Sequence, residues 1–342
     1  MGWLSGWTYR KKITITGATG AGTNYQVPLL IGESSGASGY NFHLEGKSAS
    51  FPSGENTGGD LRFTASDGTT LLDFWVESAS GTTPNRLAKI WVEVPADLGS
   101  NQDIYCYFGN PSATNASSIV NTSLIPDDIN DNSLSNNWSI LETTSSCTQT
   151  ETNNELQLSV PGGGTWQWSG VVYTAFSRAP NDGIRIKFKL KFSDACYAGV
   201  FFTPDITNVD ADNNSQNSIY AFLSDVSTKY RILCRKNSGT NTELWTEASS
   251  LSDNQSYHAW ELALTASNAL LKIDDVTKFN GAHGLTWGSS SAYVRLETWH
   301  DHVRTGYFKS LFVTKYVSPE PAFSSAGALE TLNLGAILLM QL

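Results

Sequence analysis

The chain has 342 residues and a formal net charge of −10, with 22 Lys+Arg against 32 Asp+Glu. A nucleic-acid backbone requires clustered cations, so that partner class is excluded. Charged residues make up only 16% while aromatics reach 11%, including 11 tryptophans, which sets the chain apart from disordered sequence; its length fits two domains.

The N-terminal stretch MGWLSGWTYRKKITITG has no continuous apolar region ahead of its first strand, so it does not read as a secretory signal. Either a signal has been removed or the protein reaches the exterior without one, as a virion component does. Gly6 stands where a myristoylation motif needs Ser or Thr. No run approaches the ~18 apolar residues of a membrane span.

Helical periodicity is nearly absent. The first third holds short strand-like runs: KITIT, QVPLLIG, DLRFTA, LLDFWVE, LAKIWVEV and DIYCYFG. In KIWVEVP, Ile90, Val92 and Val94 alternate with Trp91 and Glu93, the period of a pleated strand. Asp67-Gly68, between two such runs, is a hairpin signal. The turn-rich stretch from Gly109 to Trp138 breaks the pattern, so we place a boundary near residue 123. Short strands then resume to about residue 317. In IRIKFKLKF, Ile184, Ile186, Phe188, Leu190 and Phe192 form one face; Arg185, Lys187, Lys189 and Lys191 form the other. That basic stripe reads as a solvated sheet face rather than a ligand patch. Two prolines stop the last strand, and LGAILLMQL ends the chain as an apolar tail expected to dock on another subunit or on its own domain.

The reading is therefore all-β: residues 1–123 a small β-sandwich, 124–318 a second sandwich, 319–342 the tail. The four cysteines, Cys106, Cys147, Cys196 and Cys234, show no C-x-x-C spacing. Cys106 reads as a small buried hydrophobe, and Cys196 and Cys234 could pair across a sheet. Five N-x-S/T sequons, at Asn115, Asn121, Asn137, Asn213 and Asn254, matter only where a glycosylation machinery is met.

The blocks GWTYRKKITITG, DLRFTASDGTTLLDFWVE, AKIWVEVP and IYCYFGNPSA resemble, in order and spacing, a small β-sandwich domain of unknown function that recurs in archaeal, bacterial and viral surface proteins. The resemblance spans roughly residues 7–118 and implies no catalytic chemistry. The second region resembles the concanavalin A-like lectin/glucanase jelly roll, through its opening DDINDNSLSNNW and its close YFKSLFVTKYVSPEP. Lys309 or Ser310 stands where that pattern usually has an aspartate.

Glycoside hydrolysis needs two carboxylates on one face. Jelly-roll glucanases carry them as E-x-D-x-x-E or E-x-D-x-E, which this chain lacks. Glu261 and Glu297 are single strand carboxylates that could meet on neighbouring strands or act as separate ligand contacts. Aromatic side chains stack on sugar rings, and Trp166 and Trp168 in GGGTWQWSG are two apart, hence on one side of extended backbone; the competing reading packs both in the core. The stretch WHDH, Trp299 to His302, holds two of five histidines. It reads as a hairpin connection, with ligand contact or metal as alternatives; a zinc site would need a third ligand, and no cysteine or further histidine lies near in sequence. Two oxygen-rich loops could take calcium. One offers Asp127, Asp128 and Asp131. The other offers Asp210, Asp212 and Asn214, but lacks the Gly and Glu of an EF-hand loop.

Together these features point to a non-enzymatic, lectin-like structural protein of a virion surface, its tail or a decoration, or of an extracellular surface. Its expected partners are a glycan or host-surface receptor, other copies of itself and other virion or surface proteins, without nucleic acid or a membrane span. Calcium in the two oxygen-rich loops is the one cofactor these features suggest. A secreted cell-surface adhesin or sheath subunit and a polysaccharide hydrolase are the alternatives.

Overall fold

The computed structural model describes residues 2–127, 129, 131–194, 196–207, 217–224, 231–237, 239–287 and 291–332. The chain divides into two compact units: residues up to Pro126 with those from Val317 onward, and Asp127–Tyr316. Both are β-sandwiches. Among the described residues the only helical segments are three short ones, Ile119–Thr122, Pro180–Asp182 and Leu251–Asn254.

The first unit contains β1 (Tyr9–Thr16), β2 (Tyr25–Gly32), β3 (Phe42–His43), β4 (Arg62–Thr64), β5 (Leu71–Leu72), β6 (Phe74–Ser80), β7 (Leu87–Val94) and β8 (Gln102–Phe108). One sheet runs β3-β2-β7-β6, and the other runs β1-β8-β4-β5. The alternation in β7 does what its sequence implies: Ala88, Ile90, Val92 and Val94 are buried in the core between the sheets. Trp91 lies on the opposite face and donates its indole N–H to Glu77 at 2.6 Å. The Asp67-Gly68 turn joins β4 and β5. Gly68 takes φ +81°, and Asp67 accepts from Thr70 Oγ1 and from the Thr69 and Thr70 amides. Those bonds hold its carboxyl down at about 2.

The described part of residues 319–342, read from the sequence as tail, supplies two strands. Ala322–Ala326 and Glu330–Thr331 both pair with β1. Without them β1 would offer a bare edge, and Phe323 gains a stacked contact with Phe42 at 6.0 Å. The stretch 334–342 lies outside the described residues.

The second unit is a jelly roll of two seven-stranded antiparallel sheets. Its strands are β9 (Trp138–Glu142), β10 (Thr148–Thr152), β11 (Glu155–Pro161), β12 (Gln167–Tyr173), β13 (Ile184–Phe192), β14 (Tyr197–Thr203), β15 (Ser218–Leu223), β16 (Arg231–Asn237), β17 (Thr240–Glu247), β18 (His258–Leu264), β19 (Asn268–Ile273), β20 (Val276–Ala282), β21 (Tyr293–His300) and β22 (Val303–Lys315). One sheet runs β10-β11-β22-β13-β18-β19-β20; the other runs β17-β16-β15-β14-β21-β12-β9. A Cβ on Gly306 of β22 would meet Thr298 Oγ1 at 2.2 Å and Ala198 Cβ at 2.8 Å. Thr298 and Ala198 therefore face across the sandwich. By the two-residue period, Val294 and Leu296 share that inner face, and Arg295, Glu297 and Trp299 point outward.

Two expectations change here. The outward face of β13 is not uniformly wet, because Arg185 and Lys187 are only 2% and 7% exposed. Both pair with Glu261 on β18, and the Tyr316 ring lies 4.8 Å from the Arg185 guanidinium. All four cysteines are buried and outside any disulfide. Cys196 precedes β14 and Cys234 lies on β16, with β15 between them, so they do not bridge. Burial pushes the Cys106 thiol far up, fitting an inert apolar side chain.

Candidate functional site

The site is built on the outward face of the β21 sheet. Register places Trp168 of β12 and Tyr197 of β14 directly opposite Trp299 of β21, so three aromatics form one row across three strands. Tyr197 stacks on Trp299 at 5.2 Å between centroids and 16° between planes. Phe201 and Phe222 close on Trp299 at 5.7 and 5.6 Å, and Phe201 stacks on Tyr220 at 4.8 Å. Ile232 and Cys234 complete the cluster. Such ring pairs contribute about 0.5–1.5 kcal/mol each beyond their buried area.

One step down the face, Glu297 sits opposite Gly170 on one side and Gly199 on the other. A Cβ at Gly199 would meet Phe222 Cβ at 2.3 Å, and one at Gly170 would meet Leu296 O at 2.8 Å. Only glycine lets the side chains of Glu297 and Phe222 lie flat there. Arg295 follows, 3.0 Å from Glu297 and 3.6 Å from Asp205, with all three side chains buried. Arg295 also donates to Thr207 O at 3.3 Å. Removing charges from water costs several kcal/mol per ion, which the pairing offsets. These groups brace the face; they are not exposed to a ligand.

The accessible part is the rim. Strands β11 and β22 pair in one sheet, and β12 and β21 pair in the other. The β11–β12 and β21–β22 connections must therefore cross between sheets side by side. Gly164 N–H donates to Asp301 O at 3.1 Å, and Gly162, at φ +74°, has no room for a Cβ against the Val303 nitrogen at 2.6 Å. This clamp brings Trp166, 56% exposed, to 5.7 Å from Tyr197 and 5.5 Å from His300. His300 in turn meets the His302 ring at 5.3 Å. Asp301 Oδ1 lies 2.6 Å from His302 Nδ1 and 3.0 Å from His300 Nδ1. The hydrogen bond to His302 holds the Asp301 carboxyl below the usual range. Trp299-His-Asp-His302 is thus not a hairpin, because its two strands belong to different sheets.

Of the residues singled out from sequence, Trp166, Trp168, Trp299, His300 and His302 come together here. Trp168 and Trp299 pack into the cluster and Trp166 stays exposed. Glu297 shares the face but lies buried in an ion pair. Glu261 is elsewhere: it points outward from the other sheet, 3.0 Å from Arg185, 3.2 Å from Lys187 and 3.5 Å from Lys272. Burial pushes its carboxyl up, but these three cations outweigh that and hold it far below the usual range. Glu261 and Glu297 therefore do not meet on neighbouring strands.

Asp127 accepts from Ile129 N and Trp138 Nε1, and Asp131 accepts from Ser133 N. Backbone and indole donors engage the Asp127 oxygens, and a backbone donor engages Asp131. Glu151, not apparent from sequence, joins them: burial and the neighbouring Asp131 raise its carboxyl to about 7. Asp128, Asp210, Asp212 and Asn214 lie outside the described residues. Sequence reasoning also missed Tyr197, Phe201, Tyr220 and Phe222. Their signal was the same alternation, in YAGVFF and SIYAFL, which places aromatics on a second buried face. Among the described residues, no helix is long and apolar enough to cross a membrane.

Residues 57–141 match the family described as Domain of unknown function (DUF2341). No curated protein matches the chain. Among solved structures, the chain is similar to a carbohydrate-binding module, CBM66, from Bacillus subtilis (TM-score 0.38, 10% identity, 52% of this chain and 96% of that one). It is similar to a Bacillus licheniformis β-glucanase (0.41, 11%, 55% and 97%) and to the potassium-bound carbohydrate recognition domain of Emp46p (0.41, 9%, 53% and 89%). These are likenesses of fold.

Proposed function

We propose that this is a non-enzymatic surface protein that binds glycans at the rim of the β21 sheet. The observation that carries the reading is the exposed Trp166 ring, held beside Tyr197 and His300 with Asp301 and His302 next to it. A sugar ring has an apolar face that stacks on an indole and hydroxyls that need donors and acceptors nearby. Trp166 supplies the first and the His-Asp-His turn the second. The packed row of buried Trp299 with half-buried Trp168 and Tyr197 keeps the platform rigid, so little ordering entropy is lost on binding.

The non-enzymatic part is supported by where the carboxylates lie. Hydrolysis requires an acid and a base or nucleophile about 5–9.5 Å apart across one bond. Glu261 and Glu297 face outward from opposite sheets, each fixed in an ion pair. The proposed setting is a virion tail or decoration exposed to a host surface, alone or with further copies of itself; a cell-surface adhesin or sheath subunit is the alternative. The polar, weakly charged, aromatic-rich composition supports an exterior location. Immunogold labelling of particles and of cell envelopes separates the two settings.

A glycan array with wild type and Trp166→Ala tests the binding reading. Bound glycans lost in the variant support it; equal binding by both overturns it. A reducing-sugar assay on the bound glycans tests the other half, since sugar release abolished by Glu297→Gln would make the protein a hydrolase.

A further inference from the structure

We infer that His300, Asp301 and His302 form a binding site for a divalent transition-metal ion of the zinc class. The site goes beyond the glycan reading and does not depend on it. One ligand atom from each residue lies within 4.8 Å of the other two. The third ligand is the intervening aspartate, Asp301.

The chemistry of the set is specific. Two imidazoles and one carboxylate suit zinc and its neighbours, whereas calcium and magnesium prefer oxygen alone. Zn–N bonds of about 2.0–2.1 Å at tetrahedral angles put ligand atoms about 3.3 Å apart. Here Asp301 Oδ1 is 3.0 Å from His300 Nδ1 and 2.6 Å from His302 Nδ1, so small outward rotations suffice.

His300 Nδ1 accepts the His302 backbone N–H at 2.9 Å, so in its neutral form the ring proton is on Nε2. An ion ligated by His300 Nδ1 exchanges that hydrogen bond for a coordinate bond, with the Asp301 carboxylate oxygen 3.0 Å away to share the ion. His302 needs only to move its proton from Nδ1 to Nε2 to present a lone pair to the same point. Three protein ligands leave at least one coordination position open. His302 is 66% exposed, so that position faces solvent.

The backbone under the site is already fixed. Gly164 N–H holds Asp301 O, and Trp166 rests against the His300 ring. Less ordering is therefore needed when the ion arrives.

Isothermal titration of the full chain with ZnCl2, in a buffer free of chelators, tests the site. The expected result is saturable uptake of one ion per chain at this turn, weakening as the pH falls because imidazoles must be deprotonated to ligate. His302→Ala and Asp301→Asn should each weaken it by at least about tenfold, the smaller loss seen even when an outer partner of a ligand is removed. His43→Ala, a lone histidine in the first unit, should leave uptake within about twofold. No saturable uptake by wild type, or undiminished uptake by both His302→Ala and Asp301→Asn, overturns the site.

Discussion

The two outward faces of the second unit have the same geometry and opposite chemistry. On the β13 sheet, alternation sends out Arg185, Lys187, Lys189 and Lys191, arranged around Glu261 and the rings of Tyr257 and Tyr307. On the β21 sheet it sends out Arg295, Glu297 and Trp299, roofed by aromatics from β12, β14 and β15. A two-residue period specifies which residues share a face; it does not specify whether water reaches that face. That is decided by what neighbouring strands and loops add. The aromatic face is a second hydrophobic core with a buried charge pair beneath it, half-open at Trp168 and Tyr197 and most exposed at Trp166.

The largest effect that separates the faces should come from Arg295→Ala. It leaves Glu297 and Asp205 as buried carboxylates without their shared cation, and should destabilise the protein by about 3–5 kcal/mol in urea denaturation. Trp299→Ala should cost a similar amount, about 3–5 kcal/mol, because it empties the centre of the aromatic cluster. Glu261→Gln on the other face should cost less, about 1–3 kcal/mol, since Gln keeps hydrogen-bonding atoms there and Lys272, one of its three cations, is partly exposed. Equal losses for Arg295→Ala and Glu261→Gln would erase the distinction between a sealed face and a partly wet one.

Smaller still is a pH effect away from both faces. Glu151 has its carboxyl raised from 4.5 to about 7, so between those values the folded protein binds more protons than the unfolded chain. Stability from this group is full at the acid end of that window and is lost as pH rises through it. The loss should be on the order of 1–2 kcal/mol after solvent screening. Denaturation at pH 5 and pH 7.5 with EDTA present checks this, and Glu151→Gln should flatten the difference. A protein that gains stability across that window through Glu151 would reverse the sign.

Much of the fold was legible because its strands carry the two-residue period plainly. KIWVEVP and IRIKFKLKF assign their own inner faces, and Asp67-Gly68 marks its own turn. The pairing of sheets was not legible. Nothing in AYVRLETWHDHVRTGYFKSLFV distinguishes a hairpin from a crossing between sheets, since both need only a short polar link. That single ambiguity hid the clamp between Gly164 and Asp301, and with it the position of Trp166. The carboxylates misled for a related reason. Glu261 and Glu297 are alike in sequence, yet their strands lie in different sheets. The tail misled because AFSSA is too polar to announce a strand, and only the open edge of β1 makes it one.

The claim at the centre of this account is that the rim of the β21 sheet, rather than the basic face of the β13 sheet, holds a glycan. Trp166→Ala, which removes a ring 56% exposed, and Lys189→Ala, which removes a half-exposed side chain, should both keep the fold and each cost no more than about 2 kcal/mol in stability. Titration calorimetry with a glycan selected on the array should then show at least about a tenfold loss of affinity for Trp166→Ala, the scale of one lost stacking contact, and none for Lys189→Ala. Affinity lost through Lys189→Ala and kept in Trp166→Ala would contradict it.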